Sequence, residues 1–239
     1  MSLGNSGGQL SMDKVCVLIP AYNEARKIGE VVKAVKGLGL DAVVIDDGST
    51  DQTYELAERA GAFVIRNTCN KGKGASIREG VRFILSKPYS AMLIMDGDGQ
   101  HDPGEIHKFL NKAKESGSAF IQGNRMHNPT SMPLMRLFTN KIMSAIVSGI
   151  CKQNIADTQC GYKFVRRDVL EKLTLKTSKY DIESEMLIET ANMRVKIDSV
   201  PIKSIYQKEE SKIKPIIDTL RFVRLLINKA PKRRKNGRV

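Results

Sequence analysis

The stretch Ala91-Met92-Leu93-Ile94-Met95-Asp96-Gly97-Asp98-Gly99-Gln100 places two carboxylates, one residue apart, directly after a short apolar run. Such a run, bounded by Gly and Asp, is typical of a buried parallel strand. Open α/β sheets bind ligands outside the carboxyl ends of their strands. Carboxylate oxygens there suit Mg²⁺ or Mn²⁺, and the ion would neutralise a bound diphosphate. A lone Asp-x-Asp also occurs in solvated turns, so the surrounding sequence has to decide.

Strand and helix patterns alternate around this stretch, from Val15 to about Gly123. The apolar segments predict strands at Val15–Ile19, Ala42–Ile45, Ala62–Ile65, the run that ends at Asp96, and Ser118–Gln122. Helical spacing separates the strands; Ser49 with Gln52 resembles a capping box that would start one helix, and Pro103 starts another. Repeated βαβ units predict an α/β fold with a mostly parallel, twisted sheet flanked by helices on both faces.

The rhythm changes after Gly123. A long helical pattern covers residues 133–150, and shorter patterns predict a strand at 163–165, a helix at 182–191 and a strand at 195–200. We expect one domain over residues 13–227, divided into a nucleotide-binding half (13–123), an acceptor half built onto the sheet (124–212) and an amphipathic helix (213–227). Residues 1–12 are Gly/Ser-rich and are expected to be a disordered leader or an expression scar, and residues 228–239 form a basic tail.

The formal net charge of the 239-residue chain is +13, and the tail contributes six of these charges: Lys229, Lys232, Arg233, Arg234, Lys235 and Arg238. The tail is either a solvated, disordered end or a segment attracted to an anionic surface. No nucleic-acid-binding motif accompanies it, so we expect no nucleic-acid partner. No apolar run is long enough to span a bilayer. The four cysteines lack metal or disulfide spacing, which predicts reduced thiols in a cytosolic protein.

Two further motifs lie where a nucleotide site would need them. Pro20-Ala21-Tyr22-Asn23-Glu24 follows the first strand and Asp46-Asp47-Gly48-Ser49 follows the second, so both should lie beside the Asp-x-Asp turn. A ring and a carboxylate there would hold a base and ribose. Asn23 and Ser49 taken singly also read as helix caps, but the convergence of these motifs with the Asp-x-Asp turn favours function. The stretch Asn70-Lys71-Gly72-Lys73-Gly74 would bring backbone amides and lysines to a phosphate, but it lacks the ending of a P-loop.

Taken in order, the segments PAYNE (20–24), IDDGSTD (45–51), NKGKG (70–74), MDGDGQHDP (95–103) and GNR (123–125) resemble the GT-A glycosyltransferases of family 2. DTQCGYK (157–163) resembles the D-x-x-x-G-[FY]-[KR] element of that family. YDIESEM (180–186), VPI (200–202) and Ser211-Lys212 resemble the dolichyl- or polyprenyl-phosphate mannose synthases and their bacterial relatives. The resemblance runs from about Val15 to Leu226. It implies a GT-A, Rossmann-like catalytic domain with an acceptor-side extension.

The resemblance also implies roles for individual residues. The nucleotide sugar would be held by Pro20, Tyr22, Glu24, Asp47, Lys73, Asp96 and Gly97. Mg²⁺ or Mn²⁺ would be held by Asp96, Asp98 and Gln100. The catalytic groups would be Asp98, Arg125, Arg136 and Lys212, with both arginines near the reacting phosphates. The segment at 205–210 lacks an arginine that many relatives have, which leaves the sugar and the acceptor open.

The implied activity is a metal-dependent, inverting transfer of a hexose, mannose or glucose, from a GDP- or UDP-sugar to a polyprenyl or dolichyl phosphate. An ionised lipid phosphate needs no strong general base, which agrees with a chain of three histidines and no evident His–carboxylate pair. The protein would be cytoplasmic, peripheral on the cytoplasmic face of a membrane, and of open oligomeric state. One alternative is a family 2 enzyme with a polysaccharide or protein acceptor. Another is a non-enzymatic basic protein that binds membranes or nucleic acid.

Overall fold

The structure, a computed structural model, describes residues 14–129 and 132–203. The strands in this part are β1 Val15–Ala21, β2 Asp41–Asp46, β3 Phe63–Arg66, β4 Ala91–Ile94, β5 Phe120–Asn124, β6 Lys163–Arg166 and β7 Ile197–Pro201. The helices are α1 Ile28–Gly37, α2 Thr53–Arg59, α3 Lys73–Leu85, α4 Ile106–Ser116, α5 Leu134–Cys151, α6 Arg167–Leu170 and α7 Ile182–Asn192. Short 3₁₀ helices cover Pro103–Glu105 and Arg125–His127. The predicted leader, the amphipathic helix at 213–227, the basic tail and Lys212 lie outside the described residues.

All seven strands form one sheet in the order β3-β2-β1-β4-β6-β5-β7. The predicted mostly parallel sheet is confirmed: β1 pairs in parallel with β2 and β4, β2 with β3, and β5 with β7. The sequence did not predict that β6 runs antiparallel to both of its neighbours, β4 and β5. This reversal places the start of β6 at the same edge of the sheet as the carboxyl ends of β4 and β5.

The central strands are buried because helices cover both faces of the sheet. Every residue of β1 and β4 is buried. The helix α1 faces the sheet with Ile28, Val31, Val32 and Val35, the spacing that the sequence predicted. On the other face, α3 approaches β1 so closely that a Cβ at Gly80 would lie 2.2 Å from Cδ1 of Leu18. The core therefore fixes the strands that carry the Asp-x-Asp turn and the two loops beside it.

The predicted capping box at α2 is wrong. Gln52 precedes the helix without a side-chain cap, and the Ser49 hydroxyl instead accepts a hydrogen bond from the Asn23 N–H at 2.9 Å. The carboxylate of Asp51 accepts from the Thr53 N–H at 3.0 Å. Ser49 therefore connects the loops after β1 and β2, and a neighbouring aspartate binds the free amide at the start of the helix.

The long helix α5 bears on the predicted absence of a membrane-spanning run, because by length and composition alone it is apolar enough to cross a membrane. Only 22% of it is buried, and Arg136 and Lys141 interrupt its apolar residues. Its buried residues are Asn140, Ser144, Val147 and Cys151. The opposite face exposes large apolar side chains, so the helix buries two polar and two apolar residues while its outer face is also apolar, unlike that of an ordinary surface helix.

The close packing of α3 on β1 makes Gly80 a stability determinant. Gly80→Ala should lower the free energy of unfolding by about 1–3 kcal/mol, because Leu18 is fully buried and has to shift to admit the methyl group. Urea denaturation measures the change. Gly37→Ala, at a helix position where a Cβ meets nothing within 4 Å, is the matched control and should be neutral or slightly stabilising. Equal effects of the two substitutions would contradict this account.

Candidate active site

The loops after β1 and β2 are joined by hydrogen bonds from both sides. Asn23 donates its backbone N–H to Ser49 Oγ, and its side-chain Oδ1 accepts from the Thr50 N–H at 2.9 Å. The Glu24 N–H donates to Thr53 Oγ1 at 2.8 Å. Asn23 lies in the left-handed region at φ 54°, which asparagine tolerates better than most residues. The two predicted nucleoside-binding segments are therefore brought together, with Tyr22 and Glu24 half-buried beside them.

Asp47 organises the loop that precedes α3. Its Oδ1 accepts from Asn67 Nδ2 at 2.9 Å and from the Lys71 N–H at 3.0 Å, and its Oδ2 accepts from the Gly72 N–H at 2.7 Å. The side chain is almost fully buried. In this structure both carboxylate oxygens thus accept hydrogen bonds from the loop between β3 and α3. A contact of Asp47 with a nucleoside remains a prediction, as do those of Pro20 and Gly97.

The Asp-x-Asp turn follows β4 at the edge where these loops meet. Asp98 Oδ1 accepts from the Gln100 N–H at 2.9 Å. Burial, and then the negative charges of Asp96 and Glu24, raise the pKa of Asp98 to about 6. The negative charges of Asp96 and Asp98 repel each other, and a divalent cation bound between them would relieve that repulsion. The two carboxylates therefore fit Mg²⁺ or Mn²⁺.

No group of three or more His, Cys, Asp and Glu side chains positioned to hold a metal occurs among residues 14–129 and 132–203. A metal at Asp96 and Asp98 would therefore need further oxygen donors. The side chain of Gln100, water and a substrate diphosphate are donors of this kind, and Mg²⁺ is commonly bound by one or two carboxylates together with water and phosphate oxygens.

Lys73 contacts the turn directly. Its Nζ lies 2.5 Å from Asp96 Oδ1 and 2.7 Å from Glu183 Oε1. Burial lowers the pKa of Lys73, but the two carboxylates outweigh burial and hold it above its ordinary value. The sequence placed Lys73 at a diphosphate and assigned nothing to Glu183. In the structure the lysine is an ion-pair partner of Asp96, and its contact with the nucleotide sugar remains a prediction.

The two buried glutamates of α7 have different partners. Glu183 pairs with Lys73 and with the fully buried Lys163. Glu185 Oε2 instead accepts from the backbone N–H groups of Lys176 and Thr177, each at 2.9 Å. Glu185 therefore holds a neighbouring loop, while Glu183 acts on the Asp-x-Asp turn. The available sequence signal was two acidic residues at i and i+2 near the start of a helix, which leaves their partners undefined.

His101 lies beneath the turn as a neutral hydrogen-bond acceptor. Its Nδ1 accepts from the Asp96 N–H at 3.1 Å, and its ring stacks on Tyr162 with centroids 4.9 Å apart. Burial lowers the pKa of His101 to about 4, so the ring is uncharged near neutral pH. Contrary to the sequence expectation, a carboxylate lies close, with Asp96 Oδ2 at 3.9 Å from Nδ1. Through this bond at Nδ1, the histidine supports the main chain of the turn.

Arg125, at the end of β5, forms a two-pronged ion pair with Asp157. The Nε–Oδ2 distance is 2.7 Å, the Nη2–Oδ1 distance is 2.9 Å, and the Arg125 backbone N–H also donates to Oδ2 at 3.0 Å. Burial would raise the pKa of Asp157, but Arg125 and Asn140 hold it below its ordinary value. The sequence expected Arg125 near phosphates and left Asp157 without a role.

The same carboxylate anchors α5. Asn140 Nδ2 donates to Asp157 Oδ1 at 2.8 Å, and Ser144 Oγ donates to Asn140 Oδ1 at 2.9 Å. Ser144 Oγ in turn accepts from the Thr158 N–H at 3.0 Å. Arg136 lies one helical turn before Asn140 and is therefore on the same side of α5. Its predicted role at a phosphate stays a prediction.

Comparison with known proteins identifies the family. The family described as glycosyl transferase family 2 matches residues 16–174. The chain is 30% identical over 228 residues to a dolichol-phosphate mannosyltransferase of Pyrococcus furiosus, covering 88% of this chain and 62% of that protein. It is 29% identical over 215 residues to a UDP-N-acetylglucosamine–dolichyl-phosphate N-acetylglucosaminyltransferase of Methanococcus voltae, covering 80% and 86%.

A solved structure resembles the fold. Glucosyl-3-phosphoglycerate synthase from Mycobacterium tuberculosis, in complex with Mn²⁺, UDP-glucose and phosphoglyceric acid, superposes with a TM-score of 0.69 at 18% sequence identity. The superposition covers 94% of this chain and 79% of the other. At that level of identity the similarity shows the fold alone.

The chain belongs to glycosyl transferase family 2. It has the GT-A fold, and it is a glycosyltransferase that uses a nucleotide sugar. The resemblance inferred from the ordered motifs is thus confirmed. Membership of the family excludes the non-enzymatic basic protein that the charge alone left open.

The buried pair of Arg125 and Asp157 should be important for stability. Asp157→Asn leaves a largely buried guanidinium without its counter-charge and should cost about 3 kcal/mol or more in a urea denaturation at pH 7. Because the folded pKa of Asp157 lies below the ordinary 3.8, its stabilisation is present above about pH 4 and is lost as the pH falls through the folded pKa. The variant should therefore lose less stability on acidification than the wild type.

Asp168→Asn is the control for this experiment. Asp168 forms a similar two-pronged pair with Arg166, but its side chain is half-exposed. Its loss should cost about 1 kcal/mol or less, because solvent screens the pair. Equal losses for Asp157→Asn and Asp168→Asn would show that burial does not set the strength of the Arg125 pair.

Proposed function

We propose that this enzyme transfers a hexose, with inversion, from GDP- or UDP-sugar to a polyprenyl or dolichyl phosphate, and that it uses Mg²⁺ or Mn²⁺. One arrangement carries the proposal: the Asp-x-Asp turn after β4 and Arg125 after β5 lie at the same edge of the sheet, with α5 beside Arg125. The Pyrococcus relative, a dolichol-phosphate mannosyltransferase, and the Methanococcus relative, a dolichyl-phosphate N-acetylglucosaminyltransferase, support a dolichyl phosphate acceptor. The two relatives differ in the sugar that they transfer, so the choice of sugar stays open within this proposal.

On the donor side, the joined loops after β1, β2 and β3 would hold the nucleoside. Tyr22, Glu24 and Asp47 are the residues expected to contact it. Asp96, Asp98 and Gln100 would hold the metal, which when bound supplies charge neutralisation for the departing diphosphate. His101 fixes the main chain of Asp96, so the turn keeps its shape as the donor arrives.

On the acceptor side, Arg125 and Arg136 would orient the lipid phosphate, with Lys212 as a third cation. A phosphate oxygen attacks the anomeric carbon and forms a new C–O bond. The bond from that carbon to the donor diphosphate breaks on the opposite face, and its electron pair leaves with the nucleoside diphosphate. The attacking oxygen is already ionised, so no residue has to remove a proton.

The exposed face of α5 favours a lipid acceptor over a polysaccharide or protein. Its large apolar side chains are Leu134, Met135, Phe138, Ile142 and Ile146, exposed by 41–82%. The charged residues of the helix, Arg136 and Lys141, are both cations; Lys141 is exposed, and Arg136 lies on the side of Asn140. A helix with these properties suits the boundary of an anionic membrane, where apolar area and cations both contribute to binding. The enzyme would then be peripheral on the cytoplasmic face of the membrane.

The metal assignment is tested at Asp98. Asp98→Asn keeps the shape of the side chain but removes a hard-cation ligand, so transfer should fall by orders of magnitude while the thermal unfolding temperature is preserved. The assay measures release of nucleoside diphosphate from a panel of GDP- and UDP-sugars, with polyprenyl phosphate present or absent and Mg²⁺ or Mn²⁺ supplied. Wild-type turnover in the variant would refute the metal role of Asp98. If the rate of nucleoside diphosphate release is the same with and without polyprenyl phosphate, the proposed acceptor is wrong.

The lipid-facing role of α5 is tested at Phe138. Phe138→Glu places a carboxylate on the exposed apolar face and should reduce binding to anionic liposomes in a sedimentation assay at low salt. Turnover should fall on a long-chain polyprenyl phosphate and stay near wild type on a short, soluble analogue. Leu38→Glu, at an exposed apolar position after α1, is the matched control. If both variants bind liposomes like the wild type, α5 is not the membrane contact.

A further inference from the structure

Four charged side chains from four different parts of the chain are in contact at the Asp-x-Asp turn, and one of them is Asp96 of the turn itself. Asp96 follows β4, Lys73 begins α3, Glu183 lies in α7 and Lys163 begins β6. Lys73 Nζ lies between Asp96 and Glu183, and the second oxygen of Glu183 pairs with Lys163. We refer to these four residues as the ionic cluster. The side chains of Lys73, Glu183 and Lys163 are exposed by 14%, 6% and 0%.

The ionic cluster is electrically balanced without a metal. It contains two carboxylates and two ammonium groups, and Asp96 already has a cation in contact. A divalent ion at the turn would add positive charge beside Lys73, with Asp98 as the further carboxylate of the turn. Uncompensated charge in a poorly solvated site is costly. The negative charges of a nucleoside diphosphate would remove that cost.

The backbone is shaped to allow this contact. Gly161 precedes β6 and faces the pair so closely that a Cβ there would lie 2.8 Å from Asp96 Oδ2 and 2.9 Å from Lys73 Nζ. Glycine therefore leaves room for the ion pair, and any larger residue would displace one of its members. The close approach of three elements makes the Lys73–Asp96 contact part of the fold rather than a chance surface pair.

We infer that Lys73 is an internal counter-cation for Asp96, which makes the turn a weak site for a free divalent ion and a strong one for the ion together with a nucleoside diphosphate. The inference rests on the proposed function, because it requires Asp96 and Asp98 to hold the metal. Lys73 acts here as a positioning residue. Metal and donor would consequently bind as one unit.

The test measures the Kd of Mn²⁺ by electron paramagnetic resonance, alone and with saturating GDP or UDP. Wild-type protein should bind Mn²⁺ at least about tenfold more tightly when the effective nucleotide is present. Lys73→Met removes the competing charge, so it should bind Mn²⁺ alone at least about tenfold more tightly than wild type, with a smaller nucleotide effect. Glu183 keeps Lys163 as a partner in this variant. Lys114→Met removes an exposed lysine of α4 and should change neither Kd.

The outcomes separate this inference from the proposed function. If wild type binds no Mn²⁺ even with a nucleotide, or if Asp98→Asn binds it equally well, the proposed metal site itself is wrong. If wild type binds Mn²⁺ with nucleotide and Asp98→Asn does not, the site stands. In that case, a Lys73→Met protein that binds free Mn²⁺ no better than wild type overturns the inference. So does a wild type that binds Mn²⁺ equally well with and without nucleotide, and this result needs no variant to fold.

Discussion

The carboxylate of Asp157 is the group on which the positions of Arg125 and α5 depend. It is buried, and it binds both the guanidinium and the backbone N–H of Arg125 as well as the side chain of Asn140 on α5. One negative charge thus fixes the direction of an arginine and the position of a helix. A buried charge is tolerable only where such partners surround it. The geometry of Arg125 relative to the Asp-x-Asp turn follows from this arrangement together with the antiparallel β6, which enters the sheet a few residues after Asp157.

The anchoring of α5 explains its unusual distribution of side chains. Asn140 and Ser144 face the protein because Asp157 and Thr158 need partners there. Apolar residues are left for the outer face, with Leu134 exposed by 82% and Phe138 by 63%. An outer face of this kind is unfavourable in water. Polar contacts, together with the buried Val147 and Cys151, hold the helix in place, and its large apolar side chains stay on the surface.

The bounds of most helices and strands were predictable from the sequence to within a few residues, because apolar runs and period-3.6 patterns depend only on near neighbours in the chain, but the antiparallel direction of β6 was not predictable. The Asp-x-Asp turn and the two loops beside it were also predictable, since parallel strands bring their carboxyl ends together. The partners were not predictable. Lys73 pairs with Glu183, 110 positions away, and Arg125 with Asp157, 32 positions away, and no local pattern encodes such pairs. The capping box failed for a similar reason, since Ser49 serves a residue of another loop.

The position of α5 in the chain has a consequence for how such enzymes diverge. The segment from Arg125 to Tyr162 leaves the sheet at the end of β5 and returns at the start of β6, and these two strands are direct antiparallel neighbours. Its two ends are therefore close together at one point of the sheet edge. Lengthening or exchanging such an excursion costs little loop-closure entropy and leaves the strand order unchanged. The architecture allows the segment between β5 and β6 to be replaced as a unit while the remainder of the sheet stays the same.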